Sequence, residues 1–245
     1  MEQASKRGAV LVLGADSDLG TALIAELEGD IVAHHFITKD VLDGINCENR
    51  TVIPVYGDLS TIEGIKEFIN GVKETGREIN RIVHLPASPA KPARLTKFDP
   101  ELLIKEINIE VNSIAMVMGE FFPVMASNNF GRVAVVLTSY CIGVPPKFLS
   151  TYVSAKYALM GLIKSAAVEY ADKGITVNAV APSMIETKFL LTLPDFEIEA
   201  NAKANPLGRN ASPDDIVPML KILIGEDLPY MSGAVIPITG ASSFY

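Results

Sequence analysis

The 245 residues predict an α/β fold, a single doubly wound domain whose seven-stranded parallel sheet carries helices on both faces. Three features point there. Seven short apolar runs, rich in Val and Ile, each end at a turn. Segments with apolar residues at helical spacing separate most of these runs. The first run opens into a glycine-bearing turn that leads into a helix.

Taken in order, residues 9–13 (Ala-Val-Leu-Val-Leu) form a short apolar run that stops at Gly14, as a buried parallel strand does. Leu19, Leu23, Ile24 and Leu27 then fall on one helical face, and strands follow at 31–36 and 51–56. Helical spacing returns at Ile62, Ile65, Phe68, Ile69 and Val72, before a strand at 81–85. One long helix is predicted over 100–127, a strand over 132–138, a second long helix over 151–172, and a strand over 175–180. The last helix opens with Ser212, Pro213, Asp214 and Asp215: an N-cap, a proline at the first helical position, and two acids at the positive end of the dipole. A strand at 234–238 closes the series.

Composition suits one domain spanning 1–245. Apolar residues make up 49% and charged residues 20%, enough to bury a core and too few charges for a disordered chain. The net charge of −8 repels phosphate backbones, so no nucleic-acid partner is expected. No apolar run reaches the roughly 18 residues of a membrane span, and residues 1–7 lack the apolar stretch of a secretory leader. Cys47 and Cys141 stand far apart, which predicts two reduced thiols in a cytoplasmic protein and no metal site.

The turn Gly14-Ala15-Asp16-Ser17-Asp18-Leu19-Gly20 joins a strand to a helix, where backbone N–H groups and a helix N-terminus are free to hold a pyrophosphate. The alternative is a plain strand-to-helix turn. Asp18 stands where a middle glycine is usual, and a carboxylate there repels phosphate unless it caps the helix and points away. At the end of the second strand no acid occurs until Asp40, whereas His35, Thr38 and Lys39 offer partners to a ribose 2′-phosphate. NADP is therefore expected over NAD. Adjacent His34 and His35 point to opposite strand faces and make a poor metal site.

Tyr152 and Lys156 lie four apart on one helix face. A phenol is a weak acid, with a pKa of about 10, and a neighbouring ammonium lowers that value. The pair is thus a sensible general acid and base for carbonyl–alcohol interconversion. Ser139 follows a strand, at the edge where α/β sheets bind ligands, so its hydroxyl can reach a substrate oxygen. Asn112 sits among apolar residues in the fourth helix. It either bonds to backbone or holds a relay water.

With these residues in place, the chain resembles the short-chain dehydrogenase/reductase family over nearly its whole length. The matches are Gly14 to Gly20, Asp58, Asn112, Ser139, Tyr152, Lys156, Asn178, Pro182 and Thr187, with Pro206 to Arg209, Ser212 to Ile216, and Ser232-Gly233 further on. The resemblance implies a Rossmann-type domain and a catalytic tetrad of Asn112, Ser139, Tyr152 and Lys156. Tyr152 would give its proton to the carbonyl, Ser139 would orient that oxygen, Lys156 would hold the nicotinamide ribose and depress the Tyr152 pKa, and Asn112 would anchor a water. It also implies cofactor contacts from Gly14, Asp16, Ser17, Leu19, Gly20, Asp58, Leu59, Pro86, Ala87, Pro182, Ile185 and Thr187, together with Tyr152 and Lys156. Asp58 would take the adenine amino group. Three departures stand out: Asp18, the stretch His84-Leu85-Pro86-Ala87 in place of Asn-Asn-Ala-Gly, and Ser183 in place of a glycine.

The connection over 184–205 is long and carries Phe189, Leu190, Leu191, Leu193 and Phe196, which predicts either a substrate lid or a packed amphipathic helix. With Tyr140, Ile142, Val144 and Phe148 it suggests an apolar pocket for a small ketone, an alcohol or a 3-oxoacyl thioester. The two long helices carry apolar faces, and the resemblance implies a homotetramer or homodimer through them. The competing expectation is a dinucleotide-sensing or scaffold protein that kept this fold without turnover.

Overall fold

The computed structural model describes residues 8–45 and 48–243; Cys47 and the first seven residues lie outside that range. Strands β1 (Ala9–Leu13), β2 (Gly29–His35), β3 (Arg50–Tyr56), β4 (Ile79–His84), β5 (Gly131–Val136), β6 (Ile175–Pro182) and β7 (Val235–Ile238) form one sheet in the order β3-β2-β1-β4-β5-β6-β7. Every pairing is parallel, as in Val10 opposite Ile31 and Leu11 opposite Ile82. The strand order reverses between β1 and β4, which opens a crevice at their carboxyl ends.

Alternation along β1 divides the core. Leu11 and Leu13 face helices α2 (Ile62–Glu74), α4 (Ser113–Ser127) and α5 (Ser150–Tyr170), whereas Val10 and Val12 face α1 (Asp18–Ala25) and α7 (Pro213–Leu223). Helix ends follow local chemistry. Ser17, Thr61 and Asp99 cap α1, α2 and α3 (Pro100–Ile107) by accepting from backbone N–H groups. At α7 the Asp215 carboxylate accepts from the backbone N of Ser212 at 2.8 Å.

The helix expected over 100–127 is present from Pro100 to Ser127, but it is not α-helical throughout. A single π turn, Asn108–Asn112, separates α3 from α4. Such turns widen the coil and turn a different set of side chains inward. An 18-residue window of this stretch is apolar enough to cross a membrane, with a mean hydropathy of 1.3, yet Ile114, Val117, Phe121, Phe122 and Met125 are buried in the core. The connection after β6 holds a short 3-10 turn, Lys188–Thr192, and α6 (Asp195–Ala204).

Candidate active site

The turn between β1 and α1 is braced from below. The Gly14 N–H donates to His34 Nδ1 at 3.0 Å, and His34 Nε2 pairs with the Gly57 carbonyl at 3.0 Å. Burial holds the His34 pKa below its usual value, so the ring stays neutral and can accept from Gly14. Gly14 has φ +73°, where a side chain is strained, and a Cβ on Gly20 would sit 2.5 Å from the Gly14 carbonyl oxygen. Ser17 Oγ donates to that carbonyl at 2.7 Å and accepts from the Gly20 N–H at 3.0 Å. The tight turn and the free end of α1 fit a dinucleotide pyrophosphate. Pro86 and Leu85 press against Gly14 from the end of β4, so the altered turn packs on the cradle.

Two carboxylates of this turn have tasks the sequence did not disclose. Asp16 Oδ2 accepts from the backbone N–H groups of Phe36 and Ile37, at 3.0 and 2.9 Å, and so puts an acid at the end of β2 from a neighbouring loop. Asp18 does not cap α1, a place Ser17 takes. It reaches across the cleft instead, where its Oδ2 accepts from the Lys188 N–H at 2.6 Å and its Oδ1 lies 3.5 Å from Lys188 Nζ. Of the residues expected near a 2′-phosphate, Lys39 is exposed, Thr38 Oγ1 accepts from the Asp40 N–H at 3.1 Å, and the His35 ring packs edge-on to Tyr56 at 5.8 Å. Asp58 Oδ1 accepts from the Ser60 N–H at 2.9 Å, and the Leu59 side chain goes into the core.

Tyr152 and Lys156 share the inner face of α5, and both are buried. Lys156 Nζ lies 5.8 Å from the Tyr152 ring centre and donates to the Val136 carbonyl at 3.1 Å. Its third neighbour lies outside the expected tetrad. The residue of the π turn that meets Lys156 is Glu110, with Oε2 at 3.1 Å from Nζ and side-chain exposures of 0% and 2%. Asn112 lies two positions on, close to half a turn away, and its amide donates to Asn108 Oδ1 at 2.8 Å. Asn108 in turn donates to the Ser60 carbonyl at 2.8 Å, so this pair ties the π turn to the loop after Asp58.

The hydroxyl on the Tyr152 phenol is that of Thr138, one residue before the expected Ser139. Ser139 itself is buried at the start of a 3-10 turn beside it. The phenol pKa is raised, contrary to the expectation that Lys156 lowers it. Burial is the main cause and the Glu110 carboxylate the next, while the Thr138 bond opposes both. Burial also lifts Glu110 above the usual carboxylate range, against the pull of Lys156. His84 is fully buried, and its pKa falls to about 3, first through burial and then through Lys156. The neutral ring donates from Nε2 to Ser113 Oγ at 3.0 Å, and Ser113 donates to the Ile109 carbonyl at 2.6 Å. His84 thereby braces the π turn that carries Glu110.

The far wall is the segment after β6. Beyond Pro182, Ile185 bridges to Ala211 and Thr187 begins the 3-10 turn. Asp18, Thr187, Lys188, Leu190, Leu193 and Ile198 line a cavity of about 370 Å³. Val144, Phe148, Leu191 and Phe196 are exposed.

Comparison with known proteins now decides the family. Residues 4–241 match a family model described as enoyl-(acyl carrier protein) reductase. The acetoacetyl-CoA reductase of Allochromatium vinosum is 32% identical over 239 residues, 94% of this chain and 96% of its own. The chain belongs to the short-chain dehydrogenase/reductase family. The 3-oxoacyl-[acyl-carrier-protein] reductase of Thermotoga maritima is 29% identical, covering 94% of this chain and 95% of its own. Among solved structures, a 3-oxoacyl (acyl-carrier-protein) reductase from Agrobacterium tumefaciens with NADP bound shares the fold at a TM-score of 0.85 and 21% identity, over 95% of this chain and 93% of that one. A 3-oxoacyl-[acyl-carrier protein] reductase from Brucella melitensis with bound NAD has a TM-score of 0.86 and 18% identity, over 97% and 94%.

As a short-chain dehydrogenase/reductase, the chain is an NAD(P)-dependent oxidoreductase. Its fold gathers the glycine turn, Asp58, Pro86, Tyr152, Lys156, Ser139 and Thr187 along one sheet edge, and leaves Asn112 outside the cluster around Lys156. Sequence reasoning named His34 and His84 without giving either a task, and it passed over Glu110, Thr138 and Lys188. For Glu110 a signal was present: a lone acid between Ile109 and Val111 on an inward-facing stretch needs a cationic partner.

Proposed function

We propose that this enzyme reduces a 3-oxoacyl thioester or a comparable small ketone, with Tyr152 as the proton donor. The observation that carries this reading is the buried Tyr152–Lys156 pair at the crevice edge, with Thr138 on the phenol and the glycine turn across the strand-order reversal. The names of the relatives support the substrate class, and the cavity under the 184–205 connection has an apolar side of Leu190, Leu191, Leu193 and Ile198 for an acyl chain, beside the acids Asp18, Glu186 and Asp195.

The turn from Gly14 to Gly20, with Asp16, Ser17 and Leu19, would hold the pyrophosphate side of the cofactor. Asp58 and Leu59 would flank the adenine, and Pro86 and Ala87 its ribose. Lys156 would hold the nicotinamide ribose, and Pro182, Ile185 and Thr187 would line the nicotinamide. When bound, the dinucleotide supplies the hydride. Tyr152 gives its proton to the carbonyl oxygen, and Ser139 donates a hydrogen bond to the same oxygen as charge builds there. Thr38 and Lys39 favour the 2′-phosphate of NADP, and the Asp16 carboxylate narrows that preference. The exposed apolar residues Val124, Tyr157 and Val168 on α4 and α5 suit assembly with further copies as a homodimer or homotetramer, in the cytoplasm. A second reading, in which dinucleotide occupancy rather than turnover is the output, draws on the Glu110 partner of Lys156.

The test is a titration with NADPH and NADH, followed by a ketone, 3-oxoacyl thioester and alcohol panel with Tyr152→Phe alongside. Turnover lost in Tyr152→Phe is the expected result. Binding with no turnover in either protein would favour the second reading, and turnover that survives Tyr152→Phe would refute the first.

A further inference from the structure

The Lys156 ammonium is not alone in the site. Its neighbours are the Glu110 carboxylate, with Oε2 at 3.1 Å, and the Val136 carbonyl, also at 3.1 Å. With exposures of 2% and 0%, solvent does not screen this pair, and its two charges act on the nearby phenol almost as a dipole. An ammonium by itself would draw the phenol toward its anion. An ammonium matched by a carboxylate of the same depth does so far less.

We propose that Glu110 biases this site toward reduction: its carboxylate balances the Lys156 ammonium and keeps Tyr152 a protonated phenol, ready to give a proton and slow to take one. This rests on Tyr152 being the acid–base group, and it adds the residue that sets its working state. Reduction needs the neutral phenol, because the O–H bond of Tyr152 breaks as the O–H bond of the product alcohol forms. Alcohol oxidation needs the phenolate, which takes that proton back. Glu110 touches neither the substrate nor the reacting atoms, so it is a positioning residue acting through Lys156.

Among the described residues the charged and titratable groups around this pair are few, and the further cation acting on them is Lys91, through Glu106. Glu106, buried one turn earlier on α3, lies beside Glu110, and burial raises its pKa above the usual carboxylate value. Thr151 and Tyr152 face the cluster from α5, and Thr138, Tyr140 and Cys141 from the end of β5. His84, from β4, is neutral at working pH. Burial and the Glu110 carboxylate hold the phenol in its protonated form, and the Thr138 hydroxyl acts against them.

The test reads Tyr152 directly. Enzyme labelled with 13C at tyrosine Cζ is titrated between pH 6 and 10.5, with the Tyr152 signal assigned by its loss in Tyr152→Phe. In the wild type the signal should stay at the phenol position past pH 10. In Glu110→Gln, which keeps the shape and removes the charge, it should ionise at least about one pH unit lower, within the one-to-three-unit range of a close charge partner. The rate of alcohol oxidation should rise at correspondingly lower pH. A wild-type phenolate below pH 9 overturns the proposal without any variant, as does a Glu110→Gln or Glu110→Asn signal that titrates with the wild type. Because the resonance is read without turnover, a Tyr152→Phe enzyme that stays active would defeat the proposed function separately.

Discussion

Asp18 is the residue that most separates this glycine turn from a neutral one, and replacing it isolates a single charge. Its side chain is 31% exposed and anchored on Lys188. Two negative charges of a pyrophosphate about 7 Å away, at an effective dielectric near 40, would meet a repulsion of about 2 kcal/mol by Coulomb's law. The exposed Lys188 amine returns about 0.5 kcal/mol of that. The net, near 1.5 kcal/mol, corresponds to about tenfold in Kd. Asp18→Asn keeps an oxygen for the Lys188 N–H, so the wall of the cavity should stay in place while the charge goes. The expected result is about tenfold tighter binding of both NADH and NADPH, read by fluorescence titration at low salt. The gain should shrink as salt rises. Asp18→Gly removes the link to Lys188 as well and lowers α1 stability by about 1 kcal/mol. It should bind as tightly as Asp18→Asn while ordering the 184–205 segment less. Unchanged Kd values in both variants at low salt would refute the electrostatic reasoning.

Three further outcomes follow from the same geometry. Asp16→Asn should tighten NADPH more than NADH, because only the former places a phosphate near that carboxylate; equal changes for the two in parallel titrations would count against its position at the end of β2. His84, held at about 3 when folded against about 6.5 in the unfolded chain, lets the unfolded state take up its proton first. Its contribution is complete above pH 6.5 and is lost toward pH 3, at about 1.4 kcal/mol per unit. Urea unfolding at pH 7, 6 and 5 should show this slope, and His84→Asn should flatten it to the part that His34 adds in the same direction. Thr138→Val leaves the buried phenol without its hydroxyl partner and should cost about 1–3 kcal/mol of stability, whereas Ser139→Ala should cost turnover, by about 10²-fold or more, with little change in the melting temperature.

The fold was legible because a parallel sheet buried on both faces leaves a strong signature. The residues of β1, β5 and β6 are buried throughout, so their sequences are nearly uninterrupted apolar runs that no exposed element would carry. The glycine turn was legible for a steric reason, since a Cβ at Gly20 collides with backbone whatever the ligand. The partners of its two acids were not. Asp18 lies 170 positions from Lys188 and Asp16 about 20 from Phe36, and no local pattern encodes such contacts.

Glu110 and Thr138, the neighbours of Lys156 and of the phenol, were hidden for a different reason. Spacing on a sequence becomes direction in space only through an assumed period, and α-helical phase was assumed for the whole of 100–127. The π turn breaks that phase where the chemistry lies, so the inward position falls to Glu110, and Asn112 turns toward Asn108. After β5 the hydroxyl on the phenol comes one residue before Ser139, because the chain is still extended at Thr138 and turns only from Ser139. Tyr152 and Lys156 escaped both problems because α5 is regular from Ser150 to Tyr170, and four residues there do span one turn. Such shifts bear on the chemistry rather than the fold. An asparagine beside Lys156 would leave the ammonium free to draw the phenol toward ionisation, and a glutamate there opposes it, so the working state of Tyr152 depends on which residue the π turn directs inward.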